Sequence, residues 1–239
     1  MLELKNISQI KDGREILTDI SLAITPGEVL TLIGPSGGGK TSLLKVCALL
    51  DIPAKGNVVI DGVECASDGK RHVNPIMIWP KVTIIYQNLY LWPHLSAKTN
   101  IILPIENFAS KQDKFDELCE RFGLTEHLSK YPNQLSAGQK QRVAIVRALL
   151  LDPKYLLLDE ITASLDVEQS LNVIEVLHEL KNNSIGIILV THHLEFAKNI
   201  SDKIIFLENG RIIDTGGPNL VDGAGNSRID DFVTKLRSI

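Results

Sequence analysis

The spacing of apolar positions divides the chain into a strand-rich first part, a helical middle part and an alternating last part. Strand-like runs are predicted over residues 2–7, 16–24, 29–33, 58–60 and 82–86. Helical spacing predicts helices over 42–50, 97–105, 113–122 and 137–151. The last part predicts strands over 155–158 and 185–190, helices over 167–182 and 194–199, and a hairpin over 203–207 and 211–214. The polar, proline-punctuated segment 66–81 predicts a loop.

A phosphate-binding motif stands where a buried strand, 29–33, is followed by a helix. Residues 34–41 match the pattern G-x-x-x-x-G-K-[ST] without a mismatch. Glycines let backbone N–H groups wrap a phosphate, and the helix N-terminus adds partial positive charge. Lys40 can reach the β- and γ-phosphates, and Thr41 can offer its hydroxyl to Mg²⁺. The sequence therefore predicts a bound nucleoside triphosphate, held by Gly34, Pro35, Ser36, Gly37, Gly38, Gly39, Lys40, Thr41 and Ser42.

The motif and the element order predict an α/β fold with a P-loop NTPase (RecA-like) core. We expect a single domain over 1–239, with an N-terminal antiparallel β subdomain and an inserted α-helical subdomain. Residues 1–87 and 152–239 form the predicted nucleotide-binding core. Residues 88–151 form the predicted helical insertion.

A second acidic element follows the predicted strand 155–158. In an open parallel sheet, ligands bind at the carboxyl ends of the strands, where Asp159 and Glu160 stand. Asp159 is predicted to help hold Mg²⁺. Glu160 is predicted to orient or deprotonate the attacking water.

The composition argues against a membrane-spanning, a secreted or a nucleic-acid-binding protein. The chain has 239 residues, 44% of them hydrophobic, and no apolar run long enough to span a bilayer. The N-terminus lacks the basic and apolar blocks of a signal peptide, and the three widely spaced cysteines fit a reducing compartment. We therefore expect a cytoplasmic chain. The net charge of −4 disfavours a nucleic-acid partner.

The stretch Leu135-Ser136-Ala137-Gly138-Gln139 resembles the LSGGQ signature of ABC transporter nucleotide-binding subunits. The resemblance covers nearly the whole chain, with the motifs in the family's order. Gln87 is similar to the Q-loop glutamine, residues 163–166 to the D-loop, and His192 to the switch histidine.

The resemblance implies a head-to-tail dimer with two ATP molecules between the subunits. Ser136, Gly138 and Gln139 of one chain would close over the ATP held by Lys40 of the other. Asp166 of the D-loop belongs to this predicted ATP-binding set. The resemblance also implies that Lys40, Glu160, Gln87 and His192 carry out catalysis and that Gln87 contacts Mg²⁺.

Finer similarity points to the polar amino acid importer branch of the family. Residues 87–96 resemble that branch's sequence after the Q-loop, and 228–236 resemble its C-terminus. This implies integral membrane permease subunits as partners and an extracytoplasmic substrate-binding protein in the full system. It also implies a peripheral location on the inner face of the membrane. Tyr90 and Trp92 are equally consistent with a permease-binding groove and with core packing.

Three departures from the family pattern bear on affinity and rate. Family members usually stack an aromatic ring on adenine at about the position of Lys11, which is assigned to the ATP site here, yet no aromatic precedes Trp79. Weaker purine selectivity is the resulting hypothesis. Ala137 replaces a signature glycine, and Ile161 replaces the proline that usually follows the catalytic glutamate.

Other functions fit the sequence less well. Within the family, an exporter or lipid-handling ATPase is the alternative. A soluble ATPase of DNA maintenance would carry a long coiled coil between Gln87 and Ser136, where only a compact helical block fits. A small-molecule kinase would share the phosphate loop but has no use for the signature.

Overall fold

The computed structural model describes residues 1–161, 167–223 and 227–237, and their side chains except those of 75, 167–172 and 237. The strands are β1 Leu2–Lys11, β2 Arg14–Ile24, β3 Val29–Ile33, β4 Lys55–Ile60, β5 Val63–Ser67, β6 Lys70–Arg71, β7 Val82–Ile85, β8 Tyr155–Asp159, β9 Gly186–Val190, β10 Lys203–Glu208 and β11 Arg211–Gly216. The helices are α1 Lys40–Cys47, α2 Pro75–Ile78, α3 Ala97–Ile102, α4 Gln112–Arg121, α5 Ala137–Leu149, α6 Val167–Asn182, α7 Leu194–Ile200 and α8 Ser227–Arg237. Short 3-10 turns lie at 108–111, 125–127, 132–134 and 218–222.

A six-stranded sheet with the order β11-β10-β3-β9-β8-β7 forms the centre of the fold. Its strands from β10 to β7 are parallel, and β11 is antiparallel at one edge. Strands β3, β8 and β9 are buried along their whole length, as their continuous apolar runs predict. Their carboxyl ends lie side by side and carry the predicted site residues.

The first part of the chain forms a five-stranded antiparallel sheet, β2-β1-β4-β5-β6. Prediction of a loop over 66–81 was wrong: residues 66–67 complete β5, β6 pairs with it, and 75–78 form α2. Asp68 and Gly69 both have positive φ, at 44° and 79°, which is the backbone of a two-residue hairpin turn. Because the edge strand β6 is exposed and polar, the spacing of apolar residues does not reveal this hairpin.

The helices α3, α4 and α5 lie between β7 and β8 in the chain. They share a hydrophobic core with one face of the parallel sheet, to which β8 contributes Leu156 and Leu158. The opposite face contributes Leu157 to a second core, shared with α1 and the antiparallel sheet. Because successive side chains of β8 point to opposite faces of the sheet, this one strand contributes to both hydrophobic cores.

The C-terminal helix α8 was not predicted by apolar spacing alone. It packs with α7 on Ile33 and Phe206 in a third core, and the guanidinium of Arg228 forms an ion pair with Glu208 at the end of β10. No helix in the described residues is long and apolar enough to cross a bilayer.

Candidate functional site

The phosphate loop leaves the carboxyl end of β3 and runs into α1. Gly34 has φ +140°, and a Cβ there would lie 2.0 Å from the carbonyl oxygen of Leu207, so glycine is required. The N–H of Gly38 donates to the carbonyl of Pro35 at 3.1 Å, and the N–H of Gly210 donates to the carbonyl of Gly38 at 3.1 Å. The end of β10 and the turn after it therefore support the loop from behind.

The N-terminus of α1 has no side-chain cap. Gly39, with φ +101°, occupies the capping position, and no side chain there accepts from the helix. The first-turn N–H groups, including those of Thr41 and Ser42, thus lack an intrahelical acceptor and suit an anion. Ser36 and Gly37 form the exposed tip of the loop.

Lys40 is the buried cation of this loop. Only 5% of it is exposed, and its Nζ donates to the carbonyl oxygens of Gly34 and Pro35 at 2.9 Å each. Burial lowers the pKa of Lys40, and the negative charges of Glu160 and Asp159 oppose this effect. Within the described residues Lys40 takes part in no ion pair, so its charge is available to a phosphate.

A hydroxyl and a carboxylate face each other beside this lysine. Thr41 Oγ1 donates to Asp159 Oδ1 at 3.2 Å, joining the start of α1 to the end of β8. Burial raises the pKa of Asp159, and the hydrogen bond from Thr41 partly offsets this. Together they place two hard oxygen donors next to the phosphate loop, the ligand type that Mg²⁺ uses alongside phosphate oxygens and water.

Glu160 and His192 pair across the ends of β8 and β9. The Nε2 atom of His192 lies 2.8 Å from Glu160 Oε1, and because a carboxylate only accepts, Nε2 donates. Glu160 has φ +51°, and its N–H donates to the carbonyl of Val190 at 2.9 Å. About a quarter of each side chain is exposed (24% for Glu160, 30% for His192), so water can reach the carboxylate.

The remaining predicted residues lie around this centre. Gln87 is exposed just beyond β7, the strand next to β8. Lys11 is exposed at the end of the β1–β2 hairpin, opposite Arg14, while the carbonyl of Ile16 lies 3.0 Å from a Cβ built on Gly39. The hairpin thus lies against the loop. Asp166 and the rest of the predicted D-loop, 163–166, lie outside the described residues.

The signature residues stand at the N-terminus of α5. Ser136 Oγ accepts from the N–H of Gln139 at 3.2 Å, and Gln139 Oε1 accepts from the N–H of Ser136 at 2.9 Å, a reciprocal capping box. The side-chain oxygen of Gln139 therefore already accepts a hydrogen bond from its own chain. Gly138, in the first turn, has an N–H without an intrahelical acceptor.

The signature and the phosphate loop are separate within one chain. Ser136 and Gly138 line a cavity of about 470 Å³ between α4, α5 and α6, and no described residue of the loop borders it. The helix α5 belongs to one hydrophobic core and α1 to the other. Hydrogen bonds between 136–139 and 34–42 are likewise absent from the described part of the chain.

An apolar groove of about 330 Å³ opens beside Gln87. Its walls include Trp79, Tyr86, Tyr90, Trp92 and Leu103. Arg147 of α5 shapes it: the guanidinium donates to the carbonyls of Leu89 and Tyr90 and lies 5.9 Å from the ring of Trp92. Tyr90 is 65% exposed and Trp92 43%, so both rings border the groove more than they fill a core.

Sequence comparison places these motifs in a known family. The profile of the family described as ABC transporter matches residues 17–163. The arginine transport ATP-binding protein ArtM of Bacillus subtilis is 35% identical over 99% of this chain and 100% of its own length. The glutamine transport ATP-binding protein GlnQ of Escherichia coli is 35% identical over 98% of both chains.

Solved structures share the fold. A structure described as the ATP-binding subunit of an ABC transporter has a TM-score of 0.83, with 28% identity over 99% of each chain. The dimeric post-hydrolysis state of the ATP-binding cassette MJ0796, bound to ADP and Pi, has a TM-score of 0.81, with 29% identity over 91% of this chain and 99% of that one. The chain belongs to the ABC transporter family and has the fold of its ATPase cassettes.

Proposed function

We propose that this chain is the ATP-hydrolysing subunit of an importer for polar amino acids or similar small polar solutes. The observation that carries the proposal is the split site: the phosphate loop and the signature residues of one chain do not meet. Two chains packed head to tail would bring the two halves together. Relatives named for arginine, glutamine, glutamate/aspartate and cystine transport support this solute class.

ATP fits the loop residues by charge and by shape. The buried ammonium of Lys40 donates to loop carbonyls, and no described carboxylate lies within ion-pair distance of it, so a phosphate would supply a direct counter-charge. Uncapped N–H groups of α1 point to the same place. In the proposed reaction the water oxygen bonds to the γ-phosphorus, the bond to the β-γ bridging oxygen breaks, and ADP and phosphate are released.

Glu160 is the proposed acceptor for a proton of the attacking water. His192 holds the carboxylate at 2.8 Å and would turn towards the γ-phosphate when that group is present. Gln87, at the next strand end, would transmit the state of the γ-phosphate towards the groove. Thr41 and Asp159, with Gln87 as a further proposed ligand, would hold Mg²⁺, which would supply positive charge beside the phosphates.

The proposed membrane partner binds the groove beside Gln87. The exposed rings of Tyr90 and Trp92 give an apolar surface for a helix of the permease, next to the residue that senses nucleotide. The subunit would then lie on the inner, cytoplasmic face of the membrane. A separate binding protein on the outer side would deliver the solute.

The test is the variant Glu160→Gln, which keeps the size of the side chain but removes its basicity. We expect ATP binding to remain, turnover to fall by about 100-fold or more, and an ATP-dependent dimer to accumulate on size-exclusion chromatography. Lys40→Ala in the same background is the control, because it removes the proposed ATP contact and should prevent the dimer.

Two results would contradict the proposal. A Glu160→Gln protein that stays monomeric at millimolar ATP rules out the head-to-tail sandwich. Full turnover in this variant removes Glu160 from the role of proton acceptor. An exporter would instead transport its solute in proteoliposomes that contain the ATPase and permease subunits but no solute-binding protein.

A further inference from the structure

A line of side-chain contacts connects His127 with the signature serine. His127 lies in the 3-10 turn 125–127, and its Nε2 atom is 2.9 Å from Nε2 of Gln139. Gln139 in turn forms both bonds of the capping box with Ser136. His127 therefore contacts the side chain that holds Ser136 in place.

The direction of these hydrogen bonds follows from the backbone. The N–H of Ser136 can only donate, so the atom of Gln139 facing it must be the carbonyl oxygen. The amide NH₂ of Gln139 then points to His127, and it can only donate as well. The ring nitrogen Nε2 must accept, which requires a neutral imidazole with its proton on Nδ1.

That tautomer has a cost. The Nδ1 atom of His127 is buried and has no hydrogen-bond partner among the described residues. Buried donors are almost always paired in folded proteins, so an unpaired one calls for an explanation other than stability. The arrangement does fix the orientation of the Gln139 side chain.

We propose that His127 is a positioning residue for the signature half of the ATP site. Its Nε2 fixes the Gln139 amide in the orientation that the capping box needs, and the capping box fixes Ser136 and the first turn of α5. This inference rests on the proposed function, in which Ser136 binds ATP held by the second subunit.

Three variants in the Glu160→Gln background separate this role from packing. His127→Leu removes the acceptor, whereas His127→Gln restores one, since its amide oxygen can occupy the position of Nε2. His178→Leu, at an exposed histidine of α6, is the matched control. The dimer dissociation constant at saturating ATP is measured by analytical ultracentrifugation, with binding of a fluorescent ATP analogue to the monomer measured in parallel.

We expect His127→Leu to weaken the ATP-dependent dimer by about tenfold or more, because each dimer contains two such contacts. Binding of the analogue to the monomer should not change, since the loop is elsewhere. His127→Gln should recover most of the dimer affinity, and the His178→Leu variant should match its parent. Thermal unfolding of His127→Leu should change little, because the removal of an unpaired buried donor offsets the weaker cap of α5.

Equal dimer affinity in His127→Leu and its parent would overturn the inference while leaving the proposed function intact. Loss of dimer affinity together with a lower unfolding temperature, without recovery by His127→Gln, would also overturn it. A parent that never dimerises would refute the proposed function and the inference with it.

The tautomer gives a test that does not depend on the dimer. In long-range ¹H–¹⁵N spectra of histidine-labelled protein, the signals missing from His127→Gln identify the ring. We expect a neutral ring with the proton on Nδ1. A proton on Nε2 would contradict the proposed hydrogen-bond direction whether or not the dimer forms.

Discussion

At the scale of single residues, the phosphate loop combines two kinds of glycine. Gly34 and Gly37 both have positive φ, at +140° and +77°, but only Gly34 faces a neighbour: Leu207 O would lie 2.0 Å from its Cβ. A Cβ on Gly37 would meet nothing within 4 Å. Sequence alone does not distinguish them, because Leu207 is remote along the chain.

This difference predicts unequal effects of alanine. Gly34→Ala should lower the free energy of unfolding by about 3 kcal/mol or more, since backbone must move, and should abolish ATP binding. Gly37→Ala, the matched control, should cost about 1 kcal/mol from its left-handed backbone alone. Urea denaturation and equilibrium ATP binding measure both, and equal losses in the two variants would contradict the proposed contact with Leu207.

At the scale of elements, hairpin turns show what the sequence reveals and what it hides. Asp12 and Gly13, and Asn209 and Gly210, lie between predicted apolar strands, whereas Asp61 and Gly62 follow the predicted strand 58–60. All six residues have positive φ. Asp68 and Gly69 carry the same signal, but β6 is short, exposed and polar, so apolar spacing missed it. The turn residues were the better predictor there, because an edge strand buries little apolar surface.

One of these turns is also an electrostatic junction. Asp61 accepts from Lys154 Nζ at 2.8 Å, Tyr155 OH at 2.9 Å and the terminal amino group of Met1 at 3.0 Å, and pairs with Lys81 at 3.3 Å. Burial acts to raise the pKa of Asp61, but these hydrogen bonds outweigh it and hold the pKa well below its usual range. The junction joins β4, β8 and the N-terminus.

Asp61→Asn should therefore lower the free energy of unfolding by about 1 kcal/mol at pH 7. A depressed folded-state pKa stabilises the protein above the unfolded value of about 3.9, so the loss should be constant down to about pH 5 and shrink below about pH 4. Urea denaturation across this range measures it. Asp12→Asn is the control, because Asp12 has the same φ of 51° in an exposed turn. A loss that does not change with pH would contradict the assignment.

At the scale of the whole molecule, the sequence predicts which residues meet at the strand ends better than it predicts the surfaces. Strand ends β3, β8 and β9 bring Lys40, Asp159, Glu160 and His192 together, because short motifs fix residues locally and a parallel sheet gathers its carboxyl ends. The groove depends on contacts between distant segments, such as Arg147 with residues 89 and 90, and no local pattern encodes these.

That groove supports a prediction about coupling. Tyr90→Asn removes the exposed ring while suiting the positive φ of 46° at this position, and Arg147 still bonds the backbone carbonyl of residue 90. If the ring contacts the permease, the variant should keep the ATPase rate of the isolated subunit. Its affinity for permease-containing proteoliposomes should fall by about tenfold, as for an aromatic interface anchor.

Val63→Ser, which trims an apolar side chain of similar exposure on β5, is the control. Equal retention of both variants on the proteoliposomes would place the permease elsewhere, whereas a lost basal ATPase rate in Tyr90→Asn would mean that the ring supports the nucleotide site instead.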